Sequence, residues 1–189
     1  MKKKYKPLKI ILIASFFLTF ISAGIILFSP DAYPMIKASI GEFGLFDFRF
    51  SYTADNVMTV LSHYKGDRDP ELTRFYTLDF VFAFFCGIFT FCLPLLIYLN
   101  DSKHYLMFRT SAFSSVMVFV FNVIENILLL RIINITPFFT EGEADIASGV
   151  TSLKWVFAAL WLASTLLLIP ATLFFGTKTK KKKSAKRAR

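Results

Sequence analysis

Four ionisable residues interrupt stretches that are otherwise almost wholly apolar: Asp79, Glu125, Arg131 and Lys154. Two carboxylates, Asp79 and Glu125, are the equipment for acid–base work if burial raises the pKa of one of them. Asn122 and Glu125 are three residues apart and share a helix face, with Asn126 flanking them, so donors and acceptors lie at one level. Other catalytic signatures are scarce. His63 and His104 belong to different connections, and no Cys/His or His/His spacing suits a metal, so neither a metal nor a cofactor is expected. No Gly-rich phosphate loop, G-x-S-x-G or H-E-x-x-H occurs. Cys86 and Cys92, six apart in one apolar run, read as small hydrophobes rather than a disulfide.

The elements that must position these residues follow from composition. The 189 residues are 55% hydrophobic, with 24 Phe, and the mean hydropathy is +0.55. The apolar residues fall into four runs at about 8–28, 75–99, 110–135 and 152–175. A run of roughly 20 residues with almost no charge matches a hydrocarbon core ~30 Å thick at ~1.5 Å per residue. The expected fold is therefore all-α: a four-helix transmembrane bundle forming one membrane domain over 1–176. A signal peptide is the rival reading of the first run, but its apolar stretch is longer than a usual h-region.

Charge sets the expected direction. Lys2, Lys3, Lys4, Lys6 and Lys9 precede the first run, and eight Lys and Arg residues crowd the tail at 177–189. The connection after the second run carries Lys103 and Arg109, whereas the next holds Glu141, Glu143 and Asp145 without a basic residue. All of this agrees with both termini in the cytoplasm of a plasma membrane. The basic ends suit anionic lipid headgroups, and no nucleic-acid partner is expected despite the net charge of +9. The tail itself is expected to be disordered.

Residues 30–74 then form an extracytoplasmic loop expected to be ordered. Within it, Phe46, Phe48, Phe50 and Tyr52 alternate with polar residues and would share one face of a strand or extended segment. Thr53 or Asp55 can cap a short helix with Val57, Val60, Leu61 and Tyr64 as its apolar stripe. Asp69-Pro70-Glu71 reads as the start of the helix that becomes the second span.

A charge near the bilayer centre costs at least ~2.5–3.5 kcal/mol, so the four intramembrane charges should face the bundle and find partners. Topology places them in the outer half: Asp79, Arg131 and Lys154 about one turn from the outer ends of their spans, and Glu125 about 13–15 Å down. Glu125, too short to reach the headgroups, should meet Lys154.

Several short stretches resemble a class of four-pass bacterial membrane proteins to which no activity attaches. They are Phe46-Asp47 with Tyr52-Thr53-Ala54-Asp55; Arg74-Phe75-Tyr76 with Asp79, Phe82 and Gly87; Asn122-Val123-Ile124-Glu125-Asn126; and Ser152-Leu153-Lys154-Trp155. The resemblance spans about residues 46–155 and implies the same four-span fold in a bacterial plasma membrane. It departs at Asn122, where that class commonly carries an acid, which weakens any two-acid mechanism on that helix. A looser likeness, of architecture alone, is to four-helix proteins of the sterol-isomerase and sigma-2-receptor type.

Two functions are thus expected to compete. In the first, Asp79, Asn122, Glu125, Asn126, Arg131 and Lys154 bind a small molecule or lipid in an outer-half polar pocket. In the second, those groups only join helices, and the aromatic outer loop meets a membrane-protein partner. A cavity of ~300 Å³ or more lined by Glu125 and Asn122 favours the first, and a closed bundle the second. A membrane-embedded enzyme ranks below both, and an ion pore lower still, because few polar groups face inward on the cytoplasmic half.

Overall fold

The computed structural model describes residues 5–29, 46, 49–63, 70–100 and 104–187. Their helices are α1 (Lys6–Phe28), α2 (Ala54–His63), α3 (Pro70–Asn100), α4 (Tyr105–Ile135) and α5 (Glu141–Arg187). All but α2 are long and apolar enough to cross a membrane. The chain is therefore an all-α protein compatible with a multi-pass membrane architecture.

Local chemistry sets the helix starts. Pro70 opens α3, where a missing N–H costs nothing. Thr53 caps α2: its Oγ1 accepts from Asn56 N–H at 3.3 Å while the Thr53 N–H donates to Asn56 Oδ1 at 3.2 Å. The same reciprocal box starts α5. Thr140 N–H donates to Glu143 Oε2 at 2.9 Å, and Glu143 N–H to Thr140 Oγ1 at 3.2 Å.

That box starts the fourth long helix earlier than the acidic connection suggests. Reading the acidic connection as loop put its start at 152, whereas the helix begins at Glu141 and carries Lys154 thirteen residues into it. The tail differs as well. Expected to be disordered, it continues α5 as helix to Arg187, in keeping with the good helix propensity of Lys, Ala and Arg on an already nucleated helix.

α1 packs along α3, α3 along α4 and α4 along α5, while α3 and α5 touch only locally and α1 and α5 scarcely meet. The polarity of the surface is inverted relative to a soluble bundle. α1 buries Ser15, Thr19 and Ser22 and exposes Ile10, Phe17, Phe20 and Ile21. Thr19 and Ser22 hydroxyls donate to carbonyls one turn back at 2.7 and 2.8 Å, which leaves small, satisfied groups for close helix approach. The outward Ile, Phe and Leu side chains need an apolar solvent.

The tightest apolar core lies at one end, hereafter the cap end, where Phe46, Tyr52, Val57, Val60 and Leu61 pack with Leu72, Tyr76, Leu129, Ile132 and Ala144. The α2 stripe of Val57, Val60 and Leu61 is buried as expected. Tyr64 and Phe48 lie outside the described residues. The alternating strand is not observed. Among the described residues there is no strand, Arg49 N–H closes a turn onto Phe46 O at 3.0 Å, and Phe50 is 61% exposed where Phe46 and Tyr52 are buried. The turn at Phe46 breaks the period of two and swings Phe50 outward.

Candidate functional site

Glu125 lies ten residues before the end of α4, and Lys154 thirteen after the start of α5. In antiparallel neighbours rising ~1.5 Å per residue, these offsets bring them to nearly one level, roughly 15–20 Å from the helix ends. Lys154 Nζ forms an ion pair with Glu125 Oε2; the side chains are 9% and 0% exposed. The other carboxylate oxygen, Oε1, accepts from Thr151 Oγ1 at 2.5 Å. Thr151 precedes Lys154 by three residues, so α5 presents hydroxyl and ammonium on one face to the same carboxylate. The Lys154 ammonium also lies 5.8 Å from the Trp155 ring centroid, within cation–π range.

Asp79 meets the amides of α4. Its Oδ2 accepts from Asn122 Nδ2 at 2.6 Å and from Asn126 Nδ2 at 2.7 Å. Asn122 and Asn126 are one turn apart on α4, so both amides converge on α3. A carboxylate only accepts, which orients each amide with its nitrogen toward Asp79. The Asn126 carbonyl oxygen is thereby left buried without a hydrogen-bond partner.

These two polar units border a cavity of about 290 Å³ at the cap-end half of the bundle, with Asp79, Asn122 and Lys154 on its wall. The rest of the lining is apolar: Ala23, Ile26 and Leu27 of α1, Phe75 and Phe82 of α3, Val118 of α4, and Trp155 and Ala158 of α5. All four long helices contribute. Glu125 stands behind Lys154 and does not line the space.

The cap end touches this cluster from above. Ser148, Thr151 and Ser152 of α5 grip the segment before α2. Tyr52 N–H donates to Ser148 Oγ at 2.9 Å, Ser152 Oγ to Phe50 O at 2.7 Å, and Thr151 Oγ1 lies 3.4 Å from the Tyr52 hydroxyl. Toward the tail end, neutral polar contacts join the helices. Thr90 and Ser115 hydroxyls pair at 2.7 Å, Ser111 and Thr165 at 2.6 Å, and Trp161 Nε1–H donates to Thr90 O at 3.0 Å.

Of the six residues singled out in the sequence, five gather here: Asp79, Asn122, Glu125, Asn126 and Lys154. Arg131 does not. Its side chain is 66% exposed and pairs with Glu143 at 2.8 Å at the first turn of α5. Lys154 is also deeper than the one turn expected, because α5 starts earlier, and it is anchored rather than reaching for headgroups. Thr151 went unrecognised in the sequence, although its place three residues before Lys154 was the available signal. The apolar walls carried no signal, since Ala23 and Ala158 look like any small residues of a span. Among the described residues no group of His, Cys, Asp and Glu is gathered as a metal would require.

Comparison with known protein families, curated proteins and solved structures finds no match for this chain. The functional reading therefore rests on geometry.

Proposed function

We propose that this multi-pass membrane protein binds a small molecule or lipid in the cavity between its four long helices, with Asp79, Asn122 and Lys154 holding the ligand's polar part. The observation that carries this reading is the 290 Å³ space itself, just short of ~300 Å³ and lined by Asn122 without Glu125, which like ligand pockets is apolar with a few convergent polar groups. Glu125, Asn126 and Thr151 act behind that wall as positioning residues, because they fix the carboxylate and ammonium that the ligand would meet. The topology that accompanies this reading places both basic termini in the cytoplasm and the cavity in the outer half of a bacterial plasma membrane, beneath an ordered extracytoplasmic loop.

The test is to extract the protein from its native membrane into nanodiscs without detergent and identify small molecules retained with it by mass spectrometry. A species enriched on the wild type and lost from Asn122→Leu supports the reading. Identical retained molecules on the two proteins overturn it.

The second reading, a structural or interaction protein, is favoured by one observation. Glu125 is wholly enclosed by Lys154 and Thr151, as expected of a group that joins α4 to α5. Exposed Phe50 would then be a contact for a membrane-protein partner.

A further inference from the structure

The chemistry of the cavity wall narrows the ligand, on the reading just given that the cavity is a ligand site. Its two charged lining groups are already satisfied by the protein: Lys154 pairs with Glu125, and Asp79 accepts from Asn122 and Asn126. A head seated between Asp79 and Lys154 has the same sign as one of them whichever full charge it carries, and it must also give up its hydration to enter an otherwise apolar space. A neutral hydroxyl or primary amide meets no such penalty. It can donate to the Asp79 carboxylate and accept from the Lys154 ammonium, and bonds to charged partners are the stronger kind.

The shape of the site points to where such a ligand comes from. α1 and α5 scarcely meet although both line the space. At this unpacked seam stand the small side chains Ala23 and Ala158, beside Leu27 and Trp155, each 40% exposed. The seam faces what the bilayer would fill, so the side opening leads to acyl chains rather than to water. About 290 Å³ lies at the lower end of ligand pockets, which suits a head with the first part of one chain better than a bulky two-chain lipid.

We propose that the ligand is a neutral single-chain amphiphile drawn from the membrane, its hydroxyl or amide head between Asp79 and Lys154 and its chain leaving between α1 and α5. The full chain in nanodiscs is titrated with four probes: an undecyl alcohol, amide, carboxylate and ammonium, each brominated at the far end. Quenching of tryptophan fluorescence is read and corrected for partition into protein-free discs; Trp155 lies at the opening. The alcohol and the amide should quench saturably at concentrations about tenfold lower than either ion. Asp79→Asn should weaken the alcohol several-fold, and Ala158→Phe, which fills the opening, should remove the saturable part. If Ala158→Phe does not fold, Ala23→Leu serves the same purpose. Equal or tighter binding of the carboxylate or ammonium, or an alcohol indifferent to Asp79→Asn, overturns the neutral-head inference and leaves the cavity as a binding site. No saturable quenching by any probe, or quenching that survives both filled openings, overturns the cavity reading as well.

Discussion

The buried pair between α4 and α5 allows the sharpest prediction. Glu125→Gln keeps an acceptor for Thr151 but removes the charge that Lys154 faces, and the Lys154 side chain is only 9% exposed. A charge at this depth costs at least ~2.5–3.5 kcal/mol on insertion scales, and breaking a buried pair costs about 3–5 kcal/mol in soluble proteins, part of which the Asp79 carboxylate on the same cavity wall offsets. Relaxation of the Lys154 stem toward the cavity reduces this, so Glu125→Gln should destabilise by about 2–4 kcal/mol. Lys154→Met, which keeps the stem and leaves the carboxylate bare, should lose a similar amount. The double variant leaves neither charge stranded and should lie within about 1–2 kcal/mol of the wild type, the size of an ordinary interhelical polar contact. The double-mutant cycle then reports coupling of at least ~2 kcal/mol. Reversible unfolding by SDS in bicelles, followed by circular dichroism, measures all four proteins. Losses that add to within about 0.5 kcal/mol would show that the two groups do not depend on each other and refute the argument.

Four further outcomes are expected. A Cβ on Gly87 would stand 3.1 Å from Phe119 Cδ2 and 3.3 Å from Phe119 Cβ, so Gly87→Val should push α3 from α4 and lose about 1–3 kcal/mol in the same unfolding assay. Ser148→Ala strands the Tyr52 N–H, which it accepts from at 2.9 Å; hydrogen exchange should accelerate around residue 52 and leave α3 unchanged. Arg131→Gln removes a pair whose cation is 66% exposed and should change stability by less than about 1 kcal/mol, an effect that fades with salt. A cysteine introduced as Ser184→Cys should resist an impermeant thiol reagent in intact cells and react after permeabilisation, since the tail is expected on the cytoplasmic side; labelling of intact cells would invert the proposed topology.

Legibility in the sequence followed the strength of each physical constraint. The long apolar helices were readable because a bilayer leaves little choice over what may cross it. The meeting of Glu125 and Lys154 was readable for a related reason: a deep acid needs a cation, and few were within reach. Which group Asp79 meets was not, because amides on α4 and the ammonium on α5 are equally acceptable neighbours until packing angles are known. Arg131 misled in the opposite direction. It lies one turn from the end of α4, near enough to water to leave the bundle and meet Glu143. The Thr140–Glu143 box was legible but lost to the acidic composition of that segment, and with it went the true depth of Lys154. The exposed Phe50 shows the weakness of short alternating patterns, where one turn at Phe46 is enough to change which face a ring occupies.

The two polar layers of the bundle differ in side-chain length, and the cavity lies at the layer with the longer ones. Toward the tail end the links are Thr90 to Ser115 and Ser111 to Thr165. A hydroxyl one bond from Cβ reaches its partner only when the backbones approach closely, so these links draw α3, α4 and α5 together. At the cap-end layer the partners are Lys154 with Glu125 and Asp79 with two asparagines, and longer side chains can bridge a wider gap. Beside Lys154 and Asp79 lies the cavity that Ala23 and Ala158 leave unfilled. Shortening the bridge is therefore a different experiment from neutralising it. Lys154→Met in the Glu125→Gln background preserves the spacing and should preserve the cavity. Lys154→Ser with Glu125→Ser should let α4 and α5 close and shrink it. Saturable quenching by the brominated alcohol reads the difference: its loss in the second double variant but not in the first would tie the cavity to the length of the bridge, and loss in both would tie it to the charge.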